Sequence, residues 1–241
     1  MKENCAKTML HVTVYASLVV QILTGLLDIY IYYLPVAQDL AILKTLLGVE
    51  IAVQVVEGTF YGWFASSFAD VENVTPSRYY DWVLTTPSML ITLCIYLDFL
   101  KMHESSPTDN ERKSKKSYFP FLEAIYKNKS TIIPILLLNW MMLYVGYLGE
   151  TNVLPNVWSV CIGFVPFVLY FAMIYHYFAK YTMTGQILFW TFAIIWALYG
   201  IAALMSYYVK NIMYNVLDLF AKNFFGLFLA YVVYREYRFM V

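Results

Sequence analysis

Residues 211–235 read NIMYNVLDLFAKNFFGLFLAYVVYR, and this stretch decides the fold. It is apolar enough and, at more than about 20 residues, long enough to cross a membrane as a helix. Spacings of four, three and four residues nevertheless place four polar residues on one helical face: Asn211, Asn215, Asp218 and Lys222. A charge at membrane depth costs at least about 2.5–3.5 kcal/mol, so this face is expected to point into a bundle of helices.

The rest of the chain is built in the same way. Six further apolar runs precede the quoted one, at about 8–33, 41–66, 78–101, 130–149, 156–180 and 185–207. Of the 241 residues, 61% are hydrophobic and 13% charged, whereas soluble domains carry about 25% charged residues. We therefore predict an all-α membrane protein, one domain over residues 1–241 that forms a seven-transmembrane-helix bundle. It is expected to lie in the lipid bilayer as a multi-pass protein of the plasma membrane.

The distribution of basic residues indicates the orientation. The link between the third and fourth runs, with its edges, carries seven of them: Lys101, Arg112, Lys113, Lys115, Lys116, Lys127 and Lys129. The positive-inside rule assigns this link to the cytoplasm. With seven spans, the N-terminus is then extracellular and the C-terminus cytoplasmic.

Composition also excludes several classes of function. A net charge of zero argues against a nucleic-acid partner. The three cysteines, Cys5, Cys94 and Cys161, lack metal-ligand spacing, and no Gly-rich phosphate loop occurs in the sequence. We expect neither a metal site nor an enzyme.

The lysine in the middle of the last run has two interpretations. Lys222 can form a structural salt bridge with Asp218, or with Asp81 of the third run. Alternatively, a lysine in an apolar pocket is suited to Schiff-base chemistry with a carbonyl compound, and the two aspartates then serve as counterions. The residues alone leave both interpretations open.

Two motifs carry a resemblance to a known family. RYYDWVLTTP at residues 78–87 resembles the third-helix signature of microbial rhodopsins, and DLFAK at residues 218–222 resembles their seventh-helix signature. Trp196 and Tyr199 match the pair that packs against retinal in this family, whereas Gly200 stands where many members have proline. The resemblance is strongest from the third run to the seventh.

This resemblance implies a role for each charged residue. Lys222 would bind all-trans-retinal as a Schiff base, with Asp81 as its main counterion and proton acceptor and Asp218 as the second counterion. Arg78 would organise an outer polar network, and Thr85 would hydrogen-bond Asp81.

The resemblance also implies a retinal pocket. Its expected lining is Trp82, Thr86, Met89, Asn139, Met142, Gly146, Gly163, Phe164, Phe167, Trp196 and Tyr199. Thr86 and Asn139 would in addition link the third and fourth helices. The alternative is that the tryptophans only pack the bundle and that Gly146 only allows two helices to approach closely.

The sequence is poorly equipped for proton pumping. An outward pump of this family uses a carboxylic donor on the third helix, where this chain has Thr92. Asp98 lies more than a helical turn further inward. The outer link at residues 206–215 has no acid to release protons.

Polar stripes on the first two runs favour a channel. Glu50, Gln54, Glu57 and Tyr61 line one face of the second run over roughly 16 Å, at about 1.5 Å per residue. The first run has a similar stripe: Ser17, Gln21, Thr24 and Asp28. In a bundle of this fold the first, second and seventh helices are neighbours, so the stripes are expected to form a hydrated track that selects cations.

The resemblance to algal channelrhodopsins strengthens this hypothesis. Glu57 aligns with their central-gate glutamate and Asn223 with their central-gate asparagine. Glu57 and Asn223 are therefore the expected gate of a light-gated cation channel, with Glu50 and Gln54 lining the pore. The alternative is structural, with a protonated Glu57 that only ties two helices together.

Other features of the sequence bear on this hypothesis. Phe64 and Phe68 replace two outward glutamates of the channelrhodopsins, and Thr86 and Asn139 replace a cysteine and an aspartate. The compact size and the basic link resemble channel-forming rhodopsins of large viruses and marine protists. A sensory photoreceptor and a light-driven outward proton pump remain alternatives. Inorganic cations or protons, and further copies of the chain in a homo-oligomer, are the expected partners.

Overall fold

The computed structural model describes residues 2–68, 73–104 and 120–240. All regular structure in these residues is helical, as predicted. The seven long helices are α1 Lys2–Tyr32, α2 Ala41–Ser66, α3 Thr75–Glu104, α4 Lys129–Glu150, α5 Asn156–Tyr177, α6 Met183–Ala203 and α7, which consists of Tyr207–Asp218, the π-helical turn Leu219–Asn223 and Phe224–Met240. A short helix, Phe121–Lys127, precedes α4, and 3-10 turns span Gln38–Leu40 and Ala179–Tyr181. Arg112, Lys113, Lys115 and Lys116 lie outside the described residues.

The observed helix ends differ from the predicted ones by a few residues. α3 extends three residues beyond each end of the predicted run, because a helix can continue into polar sequence after its apolar stretch has ended. α6 ends at Ala203 and α7 begins at Tyr207, whereas 207 and 211 were predicted. The turn between the two helices contains the apolar residues Leu204 and Met205, so the apolar pattern of the sequence does not mark it.

The helices form a closed ring in chain order. Each of α1 to α6 packs against the next, and α7 returns to α1. Across the interior, α2 contacts α7 and α3 contacts α6. The polar faces of α1, α2, α3 and α7 therefore meet inside one bundle, which confirms the predicted fold.

The surface of the bundle is apolar and its interior is partly polar. Large apolar side chains such as Leu23, Leu137 and Ile187 are 58–61% exposed, whereas Arg78 and Asp218 are fully buried. Lipid replaces water around such a protein, so apolar side chains face outward and charges pair inside.

In the part of the chain that the structure describes, six helices are long and apolar enough to cross a membrane. The exception among the seven long helices is α2, whose hydropathy is lowered by Glu50, Gln54 and Glu57. All three residues are buried in the bundle, because α2 packs against α1, α3 and α7. The chain is therefore an integral, multi-pass membrane protein in contact with lipid.

Candidate functional site

One amine and three carboxylates meet near the middle of the bundle. Lys222 is 2% exposed, and its Nζ lies 2.5 Å from Asp81 Oδ2, 3.3 Å from Glu57 Oε1 and 3.8 Å from Asp218 Oδ1. One interpretation of the sequence expected a salt bridge from Lys222 to Asp218 or to Asp81, and the structure has both. Glu57, which was predicted as a gate residue or as a structural tie between two helices, is a third carboxylate beside the amine.

α7 changes from an α-helix to a π-helical turn where it carries Lys222 and Asn223. The π-helical turn Leu219–Asn223 contains Lys222, and π turns inside α-helices are frequent at functional sites. Lys222 and Asn223 are each 2% exposed, so both face the protein rather than lipid. The α-helical spacing used in the sequence analysis does not predict this turn.

The two aspartates beside Lys222 differ in their surroundings. Asp218 accepts hydrogen bonds of 2.7 Å from the hydroxyls of both Tyr61 and Tyr199, and Arg78 Nη1 lies 3.3 Å from its Oδ2. Asp81 has the shortest contact with Lys222, and its Oδ1 has no hydrogen-bond partner among the described residues. Of the two aspartates, Asp81 is therefore the one with an oxygen free to accept a proton.

Arg78 organises a polar cluster next to Asp218. Its guanidinium donates to Asn211 Oδ1 at 3.0 Å and to Asn215 Oδ1. Asn211 in turn donates to the hydroxyl of Thr75 at 2.9 Å. The resemblance to microbial rhodopsins assigned Arg78 to a polar network, and these are the polar residues that it contacts.

The predicted hydrogen bond between Thr85 and Asp81 does not involve the Asp81 carboxylate. Its hydroxyl donates to the backbone carbonyl of Asp81 at 3.0 Å, because a threonine inside a helix readily bonds the carbonyl one turn earlier. Thr85 is fully buried at this position.

Lys222 stands at one end of a large cavity. The cavity encloses about 880 Å³, counting the space that opens to the outside, which is within the range of about 300–1,000 Å³ for ligand pockets. Its lining includes Lys222 and ten of the eleven other predicted pocket residues: Trp82, Thr86, Met89, Met142, Gly146, Gly163, Phe164, Phe167, Trp196 and Tyr199. The exception, Asn139, does not line the cavity but donates a 2.8 Å hydrogen bond to Thr86, which does.

The shape of the cavity suits a long apolar carbonyl compound. Its wall is largely aromatic and apolar, and it runs from the amine to the space between α4, α5 and α6. Two glycines allow close packing at the wall, since a Cβ on Gly146 would meet the Tyr79 hydroxyl and a Cβ on Gly200 would meet the ring of Phe164. The residues present therefore fit retinal attached to Lys222.

The three polar stripes predicted on the first, second and seventh helices meet inside the bundle. The hydroxyl of Thr24 on α1 donates to Asn223 Oδ1 of α7 and lies 3.4 Å from Gln54 Oε1 of α2. Gln54 Nε2 donates to Asp28 Oδ2 at 2.6 Å. Separately, Ser17 donates to the backbone carbonyl of Asn215 at 3.2 Å. The stripes therefore face one another and form one polar strip.

Several groups of this strip have no hydrogen-bond partner among the described residues. They are both carboxyl oxygens of Glu50 and of Glu57, both amide atoms of Gln21 and the amide nitrogen of Asn223. Buried polar groups of this kind normally bind ordered water. Next to Glu50, on the side of the N-terminal end of α2, the buried residues are apolar: Leu46, Leu47, Leu93, Leu97, Leu229 and Val233.

A second buried ion pair was not foreseen from the sequence. Lys210, predicted to lie in an outer link, is 6% exposed and donates to both carboxyl oxygens of Glu150 at 2.7 and 2.9 Å. The pair joins the end of α4 to the start of α7. No pattern in the sequence links these two residues.

Comparisons with known proteins agree with this arrangement. The model of the family described as bacteriorhodopsin-like protein matches residues 9–235. The viral rhodopsin OLPVRII is 24% identical with a TM-score of 0.78, over 94% of this chain and 98% of its own. Acetabularia rhodopsin I is 19% identical with a TM-score of 0.71, over 95% and 96%. Bromide-bound halorhodopsin from Halobacterium salinarum is 16% identical with a TM-score of 0.65, over 98% of each chain. No curated protein sequence matches the chain, and the likeness to these three structures is one of fold.

Proposed function

Because the chain belongs to the family of bacteriorhodopsin-like proteins, whose members normally bind retinal, we propose that it is a photoreceptor that carries all-trans-retinal on Lys222. When bound there, retinal supplies absorption of visible light and a light-driven change of shape beside the Lys222 nitrogen. The observation that carries this proposal is the buried Lys222 amine at the end of a cavity with aromatic walls.

Each charged neighbour of Lys222 then has a role. Asp81, at 2.5 Å, is the main counterion and the acceptor of a proton from the Lys222 nitrogen. Asp218 is the second counterion, held in place by Tyr61 and Tyr199. Arg78 forms a salt bridge with Asp218, at 3.3 Å.

We propose further that light opens a path for cations through this bundle. The polar strip on α1, α2 and α7 supports this function, since it brings polar residues of three helices together inside the bundle. Several of its groups lack a hydrogen-bond partner among the described residues and are therefore free to bind water. Glu57 lies 3.3 Å from the Lys222 nitrogen, so a movement of Lys222 acts on it directly. Thr24 and Asn223 form a hydrogen-bonded constriction beside it. Glu50 and Gln54 line the same path.

We infer that this path is closed before illumination. The apolar cluster around Leu46, Leu93 and Leu229 separates the polar strip from the end of the bundle, and hydrophobic constrictions of this kind close pores by excluding water. Conduction therefore requires this cluster to separate after illumination.

A light-driven outward proton pump is the second candidate function. It is favoured by the short contact between Lys222 and Asp81, whose Oδ1 is free to accept a proton. It is disfavoured by Thr92, which occupies the position of the carboxylic donor on α3. A sensory photoreceptor in the plasma membrane, alone or as a homo-oligomer, is the third.

The first test is the colour of the protein. Lys222→Ala should abolish the visible absorption band of the retinal-reconstituted protein, because among the described residues Lys222 is the only lysine that lines the cavity. Lys129→Ala, at the exposed start of α4, is the matched control and should keep the band. A coloured, hydroxylamine-stable Lys222→Ala variant would show that another group binds retinal.

The second test separates channel, pump and sensor. Whole-cell currents are recorded under illumination while the sodium, potassium and proton gradients are varied. A reversal potential that follows a cation gradient supports the channel. An outward current at every voltage means a pump, and the absence of current in a coloured protein means a sensor.

A further inference from the structure

Asp28 of α1 is a buried acid that the proposed mechanism leaves without a role. Its side chain is fully buried, and Gln54 Nε2 donates a 2.6 Å hydrogen bond to its Oδ2. Its Oδ1 has no hydrogen-bond partner among the described residues, and no described cation pairs with it. A carboxyl buried without a cation is most stable as the neutral acid, which has a proton to give.

The packing around Asp28 holds the acid against α2 and α7. A Cβ on Gly226 would lie 2.7 Å from both Asp28 Oδ2 and Gln54 Nε2, so only glycine at this position leaves room for the hydrogen bond between them. Gly226 follows Lys222 by four residues, roughly 6 Å along the helix. Asp28 therefore lies about one helical turn from the level of the Lys222 backbone, on the side away from Arg78.

A hydrogen-bonded strip connects Asp28 with the neighbourhood of Lys222. Gln54 donates to Asp28 with its amide nitrogen, and its amide oxygen lies 3.4 Å from the hydroxyl of Thr24. Thr24 donates its hydroxyl proton to Asn223, the residue directly after Lys222. The amide nitrogen of Asn223 has no partner among the described residues and is available to bind a water on this route.

The other acids on this side of Lys222 are less suited to deliver a proton to it. Asp98 accepts a 2.9 Å hydrogen bond from Asn128 at the start of α4, away from the strip. Glu50 of α2 is the described titratable group that faces Asp28, near Thr92 of α3. Both carboxyl oxygens of Glu50 lack a hydrogen-bond partner among the described residues, so this acid, unlike Asp28, is not hydrogen-bonded to Gln54.

From this geometry we infer that Asp28 is the internal proton donor that returns a proton to the Lys222 nitrogen after light has moved one to Asp81. This inference rests on the proposed attachment of retinal to Lys222. The carboxyl O–H bond of Asp28 breaks and an N–H bond forms at Lys222, so that Asp28 is left as the carboxylate. A proton from the cytoplasmic side then restores the acid, and the net charge of the pair is unchanged by the transfer.

The protonation state of Asp28 can be measured without retinal. Infrared spectra of the retinal-free protein, with and without ¹³C-labelled aspartate, should show a band of a protonated carboxyl that Asp28→Asn removes and Asp98→Asn keeps. A retinal-free protein in which Asp28→Asn removes only a carboxylate band would overturn the inference, because a carboxylate has no proton to donate.

The transfer itself is measured by flash spectroscopy on the retinal-bound protein. In the unmodified protein, the recovery of the visible band should be nearly independent of pH between about 6 and 8, since an internal donor supplies the proton. In Asp28→Asn the recovery should be about 100-fold slower at the upper end of this range and proportional to proton concentration. Sodium azide, whose conjugate acid is small and mobile, should restore the rate. Asp98→Asn should behave like the unmodified protein.

The outcomes separate this inference from the proposed function. Loss of colour in the unmodified protein contradicts the retinal site and with it the inference. A coloured protein in which Asp28→Asn recovers at the normal rate, or in which Glu50→Gln instead shows the slow, azide-sensitive recovery, contradicts the donor role of Asp28 alone. Gly226→Ala is a second, charge-neutral test, since displacement of the Asp28–Gln54 pair should also slow the recovery.

Discussion

Replacing Asp81 by asparagine should change the colour of the protein more than replacing Asp218. The nitrogen of Lys222 lies 2.5 Å from Asp81 Oδ2 and 3.8 Å from Asp218 Oδ1. With an effective dielectric constant of about 20, the attraction is about 7 kcal/mol at the first distance and about 4 kcal/mol at the second. A carboxylate beside a protonated nitrogen stabilises the ground state more than the excited state, so its loss shifts absorption to longer wavelength.

The measurement compares the absorption maxima of Asp81→Asn, Asp218→Asn and the unmodified protein in the same detergent and buffer. The shift to longer wavelength in Asp81→Asn should exceed that in Asp218→Asn by about the ratio of the two attractions, roughly 1.5. Asp218→Asn should instead lower thermal stability, because an amide cannot accept from both Tyr61 and Tyr199 while it also faces Arg78.

An equal or larger shift in Asp218→Asn would refute this reasoning. It would mean that Asp218 is the principal counterion once retinal is bound, and that the short contact of Asp81 belongs to the free amine only. Unchanged colour in both variants would exclude both aspartates and leave Glu57, 3.3 Å from Lys222, as the principal counterion.

Two further predictions concern the ion path and the second buried pair. Glu57→Gln should alter the reversal potential or conductance of the light-evoked current, and Asn223→Asp should change the permeability ratio of sodium or divalent cations. In both variants the absorption maximum should change less than the current does. Unchanged permeability in well-folded variants would leave Glu57 with a structural role only. Glu150→Gln should destabilise the protein by about 3–5 kcal/mol, because it leaves the charge of Lys210 buried without its partner. Thermal unfolding followed by circular dichroism measures this loss, exposed Glu123→Gln is the matched control, and equal midpoints for the two variants would contradict the prediction.

The sequence alone indicated which residues meet at the centre of the bundle. Lys222, Asp218, Asp81 and Arg78 were predicted to share one interior, and they do. The reason is physical. In a membrane, a charged residue must face the protein interior, and helical periodicity shows which other residues share its face. The lining of the cavity was predicted from the resemblance to microbial rhodopsins, and all of it except Asn139 lies at the cavity wall.

Only the tertiary structure decided how the helices are rotated and aligned against one another. Periodicity defines a face relative to the axis of its own helix, but the partner of that face depends on the packing of separate helices. For this reason the approach of Glu57 to Lys222, the bond between Gln54 and Asp28, and the pairing of Lys210 could not be read from the chain. The π-helical turn at Leu219–Asn223 belongs with them, because the α-helical spacing of the sequence does not predict it.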